Sequence, residues 1–338
     1  MIRAESSVKS RPRWGMGLAW GYASLVVLSA ILLWSTGDRW WFGTMLCFGP
    51  RWVLVIPLPF LALFARRNWR TQGPPLLLAA LVLPFWMGVS FRLGTFSPND
   101  GSMPFRIVTF NTQGDKQQDL AAFSNWVLPR KPDVMIFQEC DEDHIAEAFD
   151  KHWHWARADH DLVLASRHRI VSAIPIDHSG RPERYRCMCV ELEVEGRVVR
   201  IGCVHLPTPR EGLQRLVQGD LHFVGAMAVE RRGRAEISQL ASRFLMAECR
   251  ADVLAGDFNL PVESGIFRDH WGEATDAFSA AGFGLGNTKF TRWHGVRIDH
   301  VLVANPNIKT MSAVVGPDVG SDHRPLLVEL ALPIASSR

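Results

Sequence analysis

The stretch Ala251-Asp252-Val253-Leu254-Ala255-Gly256-Asp257-Phe258-Asn259 is a short apolar run that ends abruptly in a carboxylate and an amide. Its brevity, its valine and the glycine that bounds it predict a buried strand. Polar residues placed just after such a strand stand at the rim of a sheet, where a rigid scaffold holds them for a ligand. The same pattern recurs on both sides. Residues 105–110 run into Asn111, residues 133–137 into Gln138-Glu139, and residues 198–204 into His205. Residues 298–303 carry Asp299 and His300 within the run, and Gly320-Ser321-Asp322-His323-Arg324-Pro325 precedes a last strand at 326–330. Helices are expected between them, at 119–128, 143–149 and 232–249.

Any one of these strand ends could be an ordinary turn or cap residue. Their conjunction is more informative. Glu139 and Asp322 offer oxygens to a hard cation, Asn111 and Asn259 offer neutral amides, His205 and His323 offer imidazoles, and Asp257 offers a base. The six cysteines (47, 140, 187, 189, 203, 249) show no CxxC pair, and the histidines lack zinc spacing. The donor set therefore points to Mg²⁺ or Mn²⁺. Imidazoles, amides and a hard divalent ion together suit a phosphoryl group, where catalysis is largely positioning and charge stabilisation.

The ordered set Asn111, Gln138-Glu139, His205-Leu206, Gly256-Asp257-Phe258-Asn259, Ile298-Asp299-His300 and Ser321-Asp322-His323-Arg324-Pro325 resembles the endonuclease/exonuclease/phosphatase superfamily, over residues 104–338. The resemblance implies a four-layer α/β sandwich, two mixed sheets face to face with helices outside. It also implies roles. Glu139 becomes the main metal carboxylate, with Asn111 beside it and Asp322 contributing directly or through water. Asp257 orients or deprotonates the attacking water, and Asn259 holds a phosphate oxygen. His323, partnered by Asp299, stabilises developing charge, and His205 is a second phosphate-contacting or acid residue. No expected catalytic position is substituted, which argues against a catalytically silent binding module.

Other residues have weaker claims. Arg184 and Arg186 are candidates for the substrate backbone, with a solvated strand face as the alternative. Trp293 is a candidate for stacking on a base or sugar, against an exposed loop aromatic. Cys187 and Cys189 share one face of a strand and are expected to be buried and reduced. Residues 208–234 read as an insertion-like loop that overhangs the site.

Composition divides the chain. Residues 1–103 hold 10 Lys/Arg against 3 acids, and residues 104–338 hold 27 against 31, so the parts net +7 and −4. Eight of the 13 Trp and none of the 12 His lie in the first part. Lipid for the first third and water for the rest explains this, and excludes a disordered chain, a collagen-like repeat or a small disulfide scaffold. Residues 1–93 are expected to form an all-α membrane anchor with spans at 18–34, 45–65 and 74–91, followed by a linker at 94–103. Three apolar runs also argue against a cleaved signal peptide. The tail carries four basic residues, the first loop one and the second loop three, which puts the tail and second loop in the cytoplasm and the catalytic domain outside a bacterial-type inner membrane. A re-entrant 45–65 is expected to reverse that side.

The activity expected is metal-assisted attack of water on a phosphodiester, with a nuclease the leading form and a phospholipid or inositol-phosphate hydrolase the alternative. A tight duplex binder is usually basic over its catalytic domain, whereas this one nets −4. No apolar hairpin for lipid insertion is evident in the sequence. Partners expected are the phosphoester substrate and a bilayer, with no obligate protein.

Overall fold

The computed structural model describes residues 14–92, 101–114, 119–140, 142–149, 152–158, 161–176 and 186–334. It divides into two compact units, Met1–Leu32 with Arg51–Gly88, and Leu33–Pro50 with Val89–Arg338. The helices in chain order are α1 (Trp14–Thr36), α2 (Trp41–Phe48), α3 (Pro57–Ala65), α4 (Trp69–Met87), α5 (Leu120–Val127), α6 (Glu142–Glu147), α7 (Arg210–Val217), α8 (Phe223–Ser242), α9 (Gly265–Trp271) and α10 (Ala277–Ala281). The strands are β1 (Ser90–Phe91), β2 (Ser102–Asn111), β3 (Val134–Gln138), β4 (His154–Ala158), β5 (Leu162–Ser166), β6 (Arg169–Pro175), β7 (Arg186–Val194) and β8 (Arg197–His205), then β9 (Val253–Asp257), β10 (Thr275–Asp276), β11 (Phe283–Gly284), β12 (Lys289–Phe290), β13 (Gly295–Val296), β14 (Asp299–Val303), β15 (Lys309–Val315) and β16 (Leu326–Pro333).

In the first unit, α1 contains the expected 18–34 run and carries no charge and no proline over 23 residues. Among the described residues it is the one helix that is by itself long and apolar enough to cross a membrane. Residues 45–65 are not one continuous helix; the apolar segment is bent by 87° at a break, the form of a broken span or a re-entrant loop. The helix stops at Phe48, resumes as a 3-10 turn at Arg51–Leu54, and continues as α3. Pro50 is the cause, because it has no N–H to donate and disfavours helical backbone at Gly49. Over the expected 74–91 span the helix observed is Trp69–Met87, which takes in Arg70 and Gln72. Tyr22 donates to the Leu54 carbonyl (2.7 Å) and Trp86 to the Arg51 carbonyl (3.0 Å), which ties these helices together.

The second unit is the expected four-layer α/β sandwich. One mixed sheet has the order β15-β16-β2-β3-β5-β4 and the other β10-β14-β9-β8-β7-β6. In each, one central pair is parallel, β2 with β3 and β8 with β9. Alternation along the strands builds the layers. Phe105 and Ile107 of β2 face the shared core with Ile201, Val253 and Val301 of the other sheet, while Val108 and Phe110 face outward onto Phe123 and Val127 of α5. Ile237 and Ala241 of α8 and Phe267 and Trp271 of α9 cover the opposite sheet.

The second unit does not begin at Pro104, where the sequence reading set the domain boundary. Leu33–Pro50 belong to it, and β1 pairs with β11 before residues 93–100, which fall outside the described set. Asp38 explains the first attachment. Its buried Oδ1 accepts from the Ser264 hydroxyl (2.8 Å) and the Gly265 N–H (2.9 Å), capping α9, and Oδ2 lies 3.6 Å from buried Arg234. Gly37 has φ +53°, and a Cβ there would meet Gly265 N at 2.4 Å, so only glycine permits this approach. Cys189 and Cys249 are joined as a disulfide, which corrects the expectation of reduced thiols at that site, and Cys140, Cys187 and Cys203 are buried and form no disulfide among the described residues.

Candidate active site

Strand register assembles the site. Across β8, β9 and β14, His205 pairs with Asp257 and Asp257 with Asp299, so three functional side chains form one row at the sheet rim. In the other sheet Asn111 pairs with Gln138, and Glu139 follows at once. Gly256 allows the row to close: its φ is +149°, and a Cβ there would sit 1.8 Å from the Val204 carbonyl oxygen. Glu139 (φ +52°) and Asn259 (φ +51°) both hold the left-handed conformation. That geometry costs a non-glycine residue about 1–3 kcal/mol and persists where surrounding structure enforces it, commonly at functional sites.

His323 Nδ1 lies 2.9 Å from Asp299 Oδ2, and its Nε2 turns to Asp257 Oδ2 at 3.8 Å and Asp322 Oδ1 at 3.9 Å. The Asn111 amide nitrogen donates to both Glu139 Oε1 and Asp257 Oδ2, each at 3.0 Å, and its oxygen accepts from the Gln113 N–H. Asn111 therefore bridges the two carboxylates across the two sheets. Asn259 donates its backbone N–H to Asp257 Oδ1 and its side-chain amide to the Leu206 carbonyl.

Burial and charge tune these groups. Desolvation pushes the Asp257 carboxyl up to about 6, with the Asp299 charge adding to it and the His323 and His205 charges opposing it. Burial works against a charged His323, yet the Asp299 and Asp257 carboxylates outweigh it and hold the imidazole above its ordinary value. Burial also raises Asp299, but the His323 charge and hydrogen bond prevail and leave it lowered. His205 is raised against its own burial by the Asp161 hydrogen bond and the Asp257 charge.

Sequence reasoning missed three members of this constellation. Asp161 Oδ2 is 3.0 Å from His205 Nδ1, orienting that imidazole as Asp299 orients His323. Lys289 pairs with Asp322. Thr288 Oγ1 accepts the Asp299 N–H at 3.1 Å, fixing the start of β14. None of the three follows an apolar run, and their signal arises only in the folded chain.

The oxygen donors fit a hard divalent cation. Glu139 is 40% exposed toward the cleft, and Asp322 Oδ1 is buried without a hydrogen-bond partner. Asp257, Asp299 and His323 also converge within 4.8 Å. In that trio Asp299 Oδ2 and His323 Nδ1 already face one another at 2.9 Å. Arg186 stands opposite His205 in register, and its charge acts on Asp161. Trp293 projects to solvent, 70% exposed, with Arg292 over its ring. Arg184 lies outside the described residues.

The site opens into a cavity of about 1090 Å³ lined by Glu139, Asp161, His205, Asp257, Asn259 and His323 among others. A family model described as Endonuclease/Exonuclease/phosphatase family matches residues 108–323. No curated protein matches the chain. Among solved structures, an endonuclease/exonuclease/phosphatase family protein from Bacteroides thetaiotaomicron is 15% identical, with a TM-score of 0.51, over 69% of this chain and 99% of that one. Humanized D. rerio TDP2 is 14% identical, with a TM-score of 0.50, over 67% and 98%. At these identities the likeness is one of fold. The family's enzymes are phosphoester hydrolases dependent on a divalent metal. With the family model covering well over half of its length, the chain belongs to the Endonuclease/Exonuclease/phosphatase family.

Proposed function

We propose that this protein is a membrane-anchored, divalent-metal-dependent phosphodiesterase. One observation carries the proposal: His205, Asp257 and Asp299 lie side by side in register, with His323 on Asp299 and Glu139 across the Asn111 bridge. Asp257 takes a proton from the attacking water as that oxygen bonds to phosphorus. The bond from phosphorus to one ester oxygen breaks, and that oxygen leaves as an alcohol with a proton from His205, which, against its burial, Asp161 and Asp257 hold above its ordinary value. His323, held cationic by Asp299, stabilises the charge gathering on the phosphoryl oxygens, and His205 serves the opposite side of the group. A divalent cation held by Glu139 and Asp322, Mg²⁺ or Mn²⁺, would supply further positive charge at those oxygens. Arg186, opposite His205 in register, would contact the substrate's phosphodiester.

The anchor is supported by α1, and an extracytoplasmic catalytic unit by the basic tail and by the Cys189–Cys249 disulfide, a bond rare in reducing cytosol. The test uses the full chain in detergent with bis(p-nitrophenyl) phosphate. Hydrolysis should require Mg²⁺ or Mn²⁺, stop in EDTA and be abolished in Asp257→Asn. Unchanged turnover after chelation and dialysis would sink the proposal.

A further inference from the structure

Residues 208–234 do not form a loop. They form α7 and α8, a helical hairpin whose tip is apolar, with Val217 and Leu221 each 87% exposed. Single exposed aliphatic residues are common in water-soluble proteins, but these two do not stand alone. Val224 and Val229 are exposed along α8, and the ring of Phe223 meets that of Trp41 at 5.6 Å. Trp40 and Trp41 are themselves more than a third exposed. The patch therefore joins the hairpin tip to the start of α2.

Chain length fixes what lies beside it. Leu33–Thr36, the last turn of α1, belong to the catalytic unit, and Asp38 pins the next residues onto α9. Trp40 is four residues beyond Thr36 and thus at most about 14 Å from the end of the helix able to cross a membrane. Indoles favour the boundary between water and acyl chains.

The same hairpin walls the active-site cavity. Leu213 and Val229 from the hairpin, with Phe48 from α2, line the cavity that Glu139, His205 and Asp257 also line. Among the described residues three Lys or Arg side chains line it, and two are engaged: Arg234 donates to the Asn259 carbonyl beside Asp38, and Lys289 pairs with Asp322. A nucleic-acid strand needs a track of available cations for its successive phosphates. This cavity suits one phosphate next to an apolar body.

We propose that the α7–α8 tip and Trp40-Trp41 dock in the headgroup layer of the membrane that α1 crosses. The substrate is then the phosphodiester of a membrane amphiphile, which reaches the site along the hairpin. This rests on the phosphodiesterase reading of the site. The chemistry is the hydrolysis described above, releasing an alcohol and a phosphomonoester, one of which stays with the lipid.

The test reconstitutes the full chain in vesicles of phosphatidylglycerol and phosphatidylcholine with Mg²⁺. Hydrolysis of the vesicle lipid and of bis(p-nitrophenyl) phosphate in bulk water is followed in parallel. Val217→Glu/Leu221→Glu should lower the ratio of lipid to soluble turnover by about tenfold or more, since burial of each aliphatic side chain is worth roughly a tenfold change in partitioning. An unchanged ratio overturns the proposal. Soluble turnover with no lipid turnover also overturns it while sparing the phosphodiesterase reading, whereas absence of both removes that reading as well. A second measurement does not depend on turnover. An environment-sensitive fluorophore at Leu221→Cys should be quenched by spin-labelled lipid, and one at exposed Gln239→Cys should not. A Leu221 label that reports water overturns the docking. So does one that is shielded yet insensitive to the lipid quencher, which would mean a second copy of the chain covers the tip.

Discussion

Asp299 accepts the hydrogen bond of His323 Nδ1 at 2.9 Å, with both side chains almost fully buried, and thereby turns His323 Nε2 toward Asp257 and Asp322. The carboxylate fixes the tautomer and favours the cation. Asp299→Asn keeps the shape and removes the charge, so the imidazole loses its preferred protonation state. Turnover should fall by about 10²–10⁴-fold, the range for a positioned acid or base, with circular dichroism unchanged. His323→Ala should fall equally, and the double variant should be little worse than either, because paired groups act as one unit. Additive losses in the double variant would separate the two residues.

Asp257 and His323 predict the pH profile. Asp257 must lose its proton to act as a base, and burial first, then Asp299, sets that loss at about 6. His323 must keep its proton, which its raised value preserves above its ordinary 6.5. The rate kcat/KM should therefore climb through about pH 6 and decline on the alkaline side, a bell with a neutral plateau. A bound cation beside Glu139 shifts the acid limb downward by favouring the ionised carboxylate. Asp257→Asn should abolish the acid limb together with the activity. A flat profile from pH 5 to 9 would exclude both assignments.

Asp38 and Arg234 predict where the catalytic unit can be cut. Both are buried, and removing one partner of such a pair costs about 3–5 kcal/mol because the other charge is left without it. Asp38→Ala also uncaps α9. The full chain carrying it should unfold at markedly lower denaturant concentration, and Asp38→Asn should lose less because its oxygen can still accept from Gly265. A fragment of residues 104–338 lacks this contact entirely and should be less stable than one that retains residues 33–50. Equal midpoints for the two fragments would contradict the attachment.

The site was legible because its residues end strands. Asn111, Glu139, His205 and Asp257 each follow an apolar run, so a one-dimensional pattern located them, and register then brought them together. Asp161, Lys289 and Asp38 were not legible, because each acquires its meaning from a partner 44, 33 or 196 positions away that only the tertiary fold supplies. The same holds for Cys189 and Cys249, separated by 60 residues, since spacing never determines pairing. Apolar composition over 45–65 measured hydrophobicity but not continuity, and Pro50 broke the helix. The hairpin at α7 and α8 was hidden because its apolar residues are few and lie outside the core, where periodicity has nothing to report.

Glu139 carries the metal prediction. Its backbone is held at φ +52°, and its side chain opens to the cleft with the Asn111 amide as neighbour. Glu139→Gln keeps that volume and an oxygen but removes the charge that attracts a hard cation. The Mg²⁺ concentration for half activity should rise by about tenfold or more, in line with 1.4 kcal/mol or more of lost attraction, with smaller change at saturating metal. Isothermal titration of the chelated full chain should show the same weakening without reference to turnover. An unaltered metal requirement would move the primary ligand elsewhere, first to Asp322.

Sidedness follows from the way the second unit is assembled. Residues 33–50 and 89–338 pack as one body, through Asp38 on α9 and through Ser90, whose hydroxyl donates to the Gly282 carbonyl at 2.9 Å. They must therefore lie on one side of any membrane. On the proposed anchoring, residues 51–88 would leave and rejoin that one side, so the proposed orientation would be the same for a broken and for a re-entrant 45–65. With α1 as the proposed span, it alone would separate the four basic residues of the tail from the catalytic unit, and loop charge would retain the tail in the cytoplasm. A reporter fused after Arg338 that works only after export should be active, and one that works only inside should be silent. Cys189 and Cys249 should also resist alkylation in intact cells until a reductant is added. Activity from the cytoplasmic reporter alone would place the catalytic unit inside and remove α1 as a span.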